Sequence, residues 1–271
     1  MSAPPSPPAT LVAQRLSLAR GQRVVLRDLS LTVPPHARVG VVGANGVGKS
    51  TLLSVLAGLV EADSGTVRID PPSATVGLLA QEHRHRPDET VRQLLTRRTG
   101  VAEAEAELAE AAGDLETARL GADARYARAL ERFVRVSDGD VDARIDAALA
   151  DLGVPGLAEQ ATTRLSGGQV SKVALAAIVL SRFDVTLLDE PTNDLDFAGL
   201  ERLEQFVAEQ RGGMVIVSHD REFLEGAVDS VLELDEHTHA ATLFGGGWLA
   251  YLDQRETNRR HAEEAYRVYT V

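Results

Sequence analysis

The residues best equipped for chemistry in this 271-residue chain are Gly43-Ala44-Asn45-Gly46-Val47-Gly48-Lys49-Ser50, followed by Thr51. Their spacing, G-x-x-x-x-G-K-[ST], is that of a loop built to hold phosphate. Glycines let the backbone turn tightly, so that successive N–H groups and a helix N-terminus point at phosphate oxygens. Lys49 is then placed to reach the β- and γ-phosphates of a nucleoside triphosphate, and the Ser50 hydroxyl to take one position on Mg²⁺. The flanks fit. Val39, Val41 and Val42 suit a buried strand, and Leu52, Leu53, Val55 and Leu56 suit a helix. A plain glycine turn requires neither the lysine nor the hydroxyl.

Other candidates follow in order. Asp189 and Glu190 end an apolar run (Val185–Leu188) expected to lie beside the phosphate-loop strand. Gln81 follows the short apolar run Thr75–Leu79, and His219 follows Met214–Val217. Leu165-Ser166-Gly167-Gly168-Gln169 precedes a helical segment through Val173–Leu180, another natural anion site at a helix N-terminus. Singly, these are a helix cap, a surface amide and a strand-end histidine. Together they form a set.

The elements that must position them alternate between strand and helix. Thr10–Leu18 and Val24–Val33 read as paired strands around a turn at Arg20-Gly21-Gln22, the second with broken alternation. Thr66–Ile69 and Thr75–Leu79 add short strands either side of Pro71-Pro72. From about Thr90 to Gly153 alanine, glutamate, leucine and arginine dominate, with apolar residues at helical intervals. This predicts a helical insertion divided at Gly113, Gly121 and Ser137-Asp138-Gly139. The α/β pattern then resumes: strand Val185–Leu188, helix Phe197–Gln210, strand Met214–Val217. A hairpin of Val231–Leu234 with Ala241–Phe244 follows, then a polar helix from Trp248 on.

Composition sets outer limits. No segment approaches the ~20 apolar residues that span a bilayer, and no integral membrane segment is expected. The start, MSAPPSPPAT, lacks a basic end and an apolar core, so it reads as a disordered tail rather than a signal peptide. With no cysteine, disulfides and cysteine-ligated metal sites are excluded, and a cytoplasmic chain is expected. A net charge of -12 argues against broad non-specific affinity for nucleic acid, though local arginine clusters could meet phosphate. Lys49 and Lys172 are the only lysines.

With these motifs in order, the sequence resembles the ATP-binding cassette (ABC) ATPase family over nearly its whole length. The resemblance implies a P-loop NTPase cassette of α/β class, with an antiparallel β subdomain and an inserted helical subdomain. It places the tail at 1–9, the cassette at 10–252 with its helical subdomain and short arm at about 88–183, and the start of an interdomain linker helix at 253–271. It implies ATP and Mg²⁺ as ligands. Asp189 would hold Mg²⁺ through water, and Glu190 would orient and deprotonate the attacking water. Gln81 would touch both the ion and that water, and His219 would contact the γ-phosphate and help position Glu190. Leu165–Gln169 resembles the signature loop, which in this family contacts the nucleotide held by an opposite cassette. Asn193, Asp194, Leu195 and Asp196 resemble the loop running along that interface. The partner implied is a second cassette, in the same polypeptide or as a second copy.

Within the family the chain looks most like the ABC-F branch, twin-cassette proteins acting on the ribosome and its RNA in translation or antibiotic resistance. Asp189-Glu190-Pro191-Thr192-Asn193-Asp194-Leu195-Asp196 is similar to the ABC-F form D-E-P-T-N-H-L-D. The long span from Gln81 to Leu165 resembles an ABC-F arm, and Phe244–Leu252 resembles the segment where the linker begins. The composition at Val271 is still that of a helix, as in the first half of a longer protein. The alternative is the ATPase subunit of a membrane transporter. Three departures stand out: Ala19-Arg20-Gly21 replaces an aromatic residue on the adenine side, where Arg20 could stack instead; Gln169 replaces glutamate, with no arginine pair after it; and Pro35-His36-Ala37 replaces a glycine turn.

Overall fold

A computed structural model describes residues 9–80, 88–137 and 140–269. The chain opens with two long antiparallel strands, β1 (Thr10–Arg20) and β2 (Arg23–Val33), meeting at Gly21. The broken alternation read in the second strand is a set of register shifts between β1 and β2, with Arg15 of β1 and Asp28 of β2 at positive φ. Each shift re-aims the side chains after it. That is how Leu11, Leu16, Leu18, Leu26, Leu29 and Leu31 all stay buried despite irregular spacing.

Next come β3 (Arg38–Gly43), α1 (Lys49–Leu56), β4 (Ser64–Asp70) and β5 (Val76–Ala80). The strand β4 joins β1 to complete a three-stranded sheet, β2-β1-β4. Five helices then intervene: α2 (Val91–Arg98), α3 (Val101–Glu116), α4 (Ala122–Val136), α5 (Val141–Asp151) and α6 (Gly167–Leu180). Gly113 does not divide them. It lies inside α3, where an added Cβ would meet open space, and the break falls at residues 117–121 instead. A helix tolerates one exposed glycine at ~1 kcal/mol; the turn needs positive φ, which Ala118 and Gly121 supply. The α3–α4 hairpin is seamed by charge: Asp114 meets Arg119 and Arg125, and Arg132 meets Glu103 and Glu107. Asp138 and Gly139 lie outside the described residues.

The chain returns with β6 (Val185–Asp189), α7 (Phe197–Glu209), β7 (Gly213–Val217), α8 (Arg221–Ala227), β8 (Ser230–Leu234), β9 (Ala241–Gly245) and α9 (Gly247–Tyr269). The second sheet runs β5-β6-β7-β3-β8-β9, parallel except for the β8–β9 hairpin. The strand carrying Asp189 is therefore not beside the phosphate-loop strand, as the sequence suggested. Between them lies β7, whose five residues Gly213–Val217 are all buried, as a central parallel strand covered on both faces should be. Its presence brings His219 next to Glu190. One apolar core lies between the two sheets around α1; another packs α7, α8 and the start of α9 against the parallel sheet. The helices α2, α5 and α6 share a third, around Leu94, Ile145, Leu149 and Val173.

Candidate functional site

The phosphate loop leaves β3 at Gly43 and enters α1 at Lys49. Two of its glycines are obligatory on steric grounds. At Gly48 (φ 122°) a Cβ would sit 2.7 Å from Val25 Cγ1, and at Gly43 (φ 150°) it would sit 2.7 Å from the Leu234 carbonyl oxygen. No side chain caps the N-terminus of α1, so its first-turn amides are available to an anion. The Lys49 ammonium donates to the carbonyls of Gly43 (2.9 Å) and Ala44 (3.2 Å), which holds it over the loop. Burial pushes its pKa below the usual lysine value, against the opposing pull of Glu190 and Asp189.

Asp189 ends β6 with Oδ1 buried and without a hydrogen-bond partner. A buried carboxylate oxygen left unpaired is costly, and a hydrated cation would satisfy it. Among the described residues no cluster of three or more His, Cys, Asp or Glu forms a metal cage. A buried carboxylate oxygen across the cleft from the Ser50 hydroxyl is a donor set that suits Mg²⁺, which is commonly held by one or two protein oxygens plus substrate phosphates. Ser50 and Asp189 are the described residues that fit.

Glu190 is held by its backbone and by its neighbour. It takes positive φ (51°), donates its N–H to the Val217 carbonyl (2.8 Å), and points a carboxylate at His219. Its Oε1 lies 3.3 Å from His219 Nε2, and its Oε2 accepts from the His219 backbone N–H at 3.2 Å. The β6 and β7 loops are tied together by a buried Thr192–Ser218 hydroxyl pair at 3.0 Å, and Ser218 Oγ also accepts from the Asp220 N–H. Asp220 in turn caps α8 through the Phe223 N–H.

These groups converge on a cleft of about 520 Å³ bounded by the phosphate loop, Asp189, Glu190, His219 and the hairpin residues Arg20 and Arg23. Arg23 was not singled out by its sequence. Its Nη2 donates to the Gly46 carbonyl (3.1 Å), tying the hairpin to the phosphate loop. Gln81 lies outside the described residues.

The signature loop sits elsewhere: none of Leu165–Gln169 lines this cleft. Ser166 is the N-cap of α6, and Gln169 closes a capping box with it: the Gln169 side chain accepts from the Ser166 N–H (2.9 Å), and Ser166 Oγ accepts from the Gln169 N–H (3.4 Å). Glutamine serves that geometry as well as glutamate does. Ser166, Gly167 and Gly168 are exposed. Along the loop of Asn193–Asp196, Asp194 takes positive φ and Asp196 caps α7 through the Gly199 N–H. That hydrogen bond, helped by Lys172 Nζ at 3.5 Å, holds the Asp196 carboxyl below its usual pKa. One of the chain's few lysines thus joins the signature helix to this loop.

On the other side of Lys49, a cavity of about 510 Å³ reaches the start of α9. There Tyr251 donates to Glu233 Oε1 (3.0 Å) and Arg255 Nε lies 3.3 Å from the same oxygen. Burial, reinforced by Glu233, pushes the Tyr251 phenol up to about 12.

Residues 26–193 match the family model described as "ABC transporter". The tylosin resistance ATP-binding protein TlrC of Streptomyces fradiae is 39% identical, over 96% of this chain and 48% of that protein. The energy-dependent translational throttle protein EttA is 35% identical in Mycobacterium tuberculosis (89% of this chain, 43% of that one) and 34% in Escherichia coli K12 (90% and 44%). The chain thus spans about half the length of the curated relatives it matches. Among solved structures, an Atm1-family ABC exporter with ATP bound superposes with a TM-score of 0.65 at 19% identity, covering 96% of this chain and 43% of that one. An ATP-binding subunit of an ABC transporter superposes at 0.59 and 21% identity, covering 87% and 89%. At that identity the likeness is one of fold.

Proposed function

This chain belongs to the ABC transporter family of ATP-binding cassettes, and on that premise we propose that it is the first cassette of an ABC-F ATPase, half of a head-to-tail sandwich that couples ATP turnover to ribosome binding in the cytoplasm. The observation that carries the reading is the separation of the signature loop from the cleft. Ser166, Gly167 and Gly168 are exposed at the N-terminus of α6, a position suited to an anion, and none of them lines the cleft of their own chain. Such a loop completes the site of a second cassette. Phe197, 84% exposed at the start of α7 beside Asp196, is a large apolar side chain that pairing would cover. The similarity to a translational throttle and to a tylosin resistance protein supports the ribosome as the partner.

In this reading Gly43–Thr51 wrap the phosphates and Lys49 leaves its carbonyl partners to neutralise the β,γ-bridge. Ser50 and Asp189, with Gln81, would hold Mg²⁺, which supplies charge neutralisation on the phosphate oxygens. Glu190 orients the attacking water and takes its proton. His219 fixes Glu190 and reaches the terminal phosphate. The cassette is assigned to residues 10–252, its helical subdomain to about 88–183, and the linker start to 253–271.

The test is ATP turnover against protein concentration. Specific activity should rise steeply with concentration, and Glu190→Gln with ATP should trap a dimer on sizing columns and pellet with ribosomes when joined to its second cassette. Fast, concentration-independent turnover by a proven monomer would refute the sandwich. Recovery in membranes with an integral partner would refute the ribosomal assignment.

A further inference from the structure

With Lys49, Glu190 and His219 gathered where the terminal phosphate would lie, the wall left for the base is the end of the β1–β2 hairpin. Arg20 and Arg23 are cross-strand partners there, and Arg23 is pinned by its bond to the Gly46 carbonyl. Val25 completes the wall against Gly48. Among the described residues lining the cleft there is no Phe, Tyr or Trp, and the His219 imidazole is engaged with Glu190 on the phosphate side. A base entering here stacks on a guanidinium plane, and stacking is tolerant of which ring it holds.

The ring's edge then meets donors. Guanidinium groups donate and cannot accept. Guanine offers two adjacent acceptors, O6 and N7, to such a fork, whereas adenine offers N7 beside an amino group that also donates. We propose that Arg20 and Arg23 form a platform for either purine, so that this chain binds GTP at least as tightly as ATP. The proposal rests on the cleft being a nucleoside-triphosphate site.

The two claims separate in one calorimetric experiment. The Glu190→Gln chain is titrated with ATP and with GTP, each with Mg²⁺, alone and with Arg20→Ala or Arg23→Ala added. The Kd for GTP should equal or fall below that for ATP. Arg20→Ala should weaken both by about two- to fivefold, the worth of an exposed cation–π contact. A Kd for GTP tenfold above that for ATP would overturn the platform and leave the ATP site standing. So would unchanged affinities in both arginine variants. Failure of both nucleotides to bind would overturn the site and the platform together.

Discussion

At the scale of single residues, the cleft divides into groups that announce themselves and groups that do not. Lys49 was legible from the glycine-rich spacing ahead of a helix, and Asp189, Glu190 and His219 from their places after apolar strands; the structure brings all four to one cleft. Lys49→Ala should cut nucleotide affinity by about 10- to 100-fold, the worth of a charge-assisted contact, read by fluorescent-nucleotide binding. Arg23 was not legible. Its partner is a main-chain carbonyl 23 residues away, met only because the hairpin bends over the phosphate loop. Tyr251 carries a separate expectation. Its phenol titrates higher folded (about 12) than free (10.0), so folding favours the protonated form. That contribution is complete below pH 10 and fades as pH climbs toward 12. Urea unfolding at successive alkaline pH values should show wild type losing up to about 2 kcal/mol more than Tyr251→Phe across that window.

At the scale of elements, periodicity predicted most strands and helices but not how they neighbour one another. A parallel sheet can be threaded in several orders from the same list of strands. The insertion of β7 between β3 and β6 depends on which crossovers the helices can cover, and no local pattern encodes that. The break between α3 and α4 misled for a related reason: glycine marks a turn only where φ must be positive, and Gly113 has ordinary helical geometry. Gly77 shows the opposite case, a glycine whose need comes from a distant residue. A Cβ on it would lie 1.9 Å from the Phe183 ring, and one added to Gly100 would lie 3.4 Å from the same ring. The ring joins β5 to the start of the inserted helices. Gly77→Ala should therefore destabilise by about 1–3 kcal/mol, seen as a lower urea midpoint, and Phe183→Leu in the same chain should recover part of the loss.

At the scale of the whole molecule, the division between cleft and signature loop makes a sharper demand than slow turnover. If each site draws its phosphate loop from one cassette and its Ser166 turn from another, two dead chains should rescue each other. Lys49→Ala keeps a good signature loop, and Ser166→Arg keeps a good phosphate loop. Mixed in equal amounts, half the pairs are mixed and each has one intact site, so activity should return to about a quarter of wild type. Inactivity of the mixture, with pairing shown by sizing, would contradict the head-to-tail arrangement. The anchoring of α9 bears on what such pairing could move. Phe244, Trp248 and Tyr251 pack ring against ring, with centroids 5.3 Å apart for each contact to Tyr251, and Glu233, the register partner of Val42 on the phosphate-loop strand, accepts from the Tyr251 hydroxyl. Past Tyr251, α9 runs on to Tyr269, ~27 Å from that weld. As a tiller, it would turn ~10° of tilt at the sheet into ~5 Å of travel at its tip, magnifying small shifts beside Lys49.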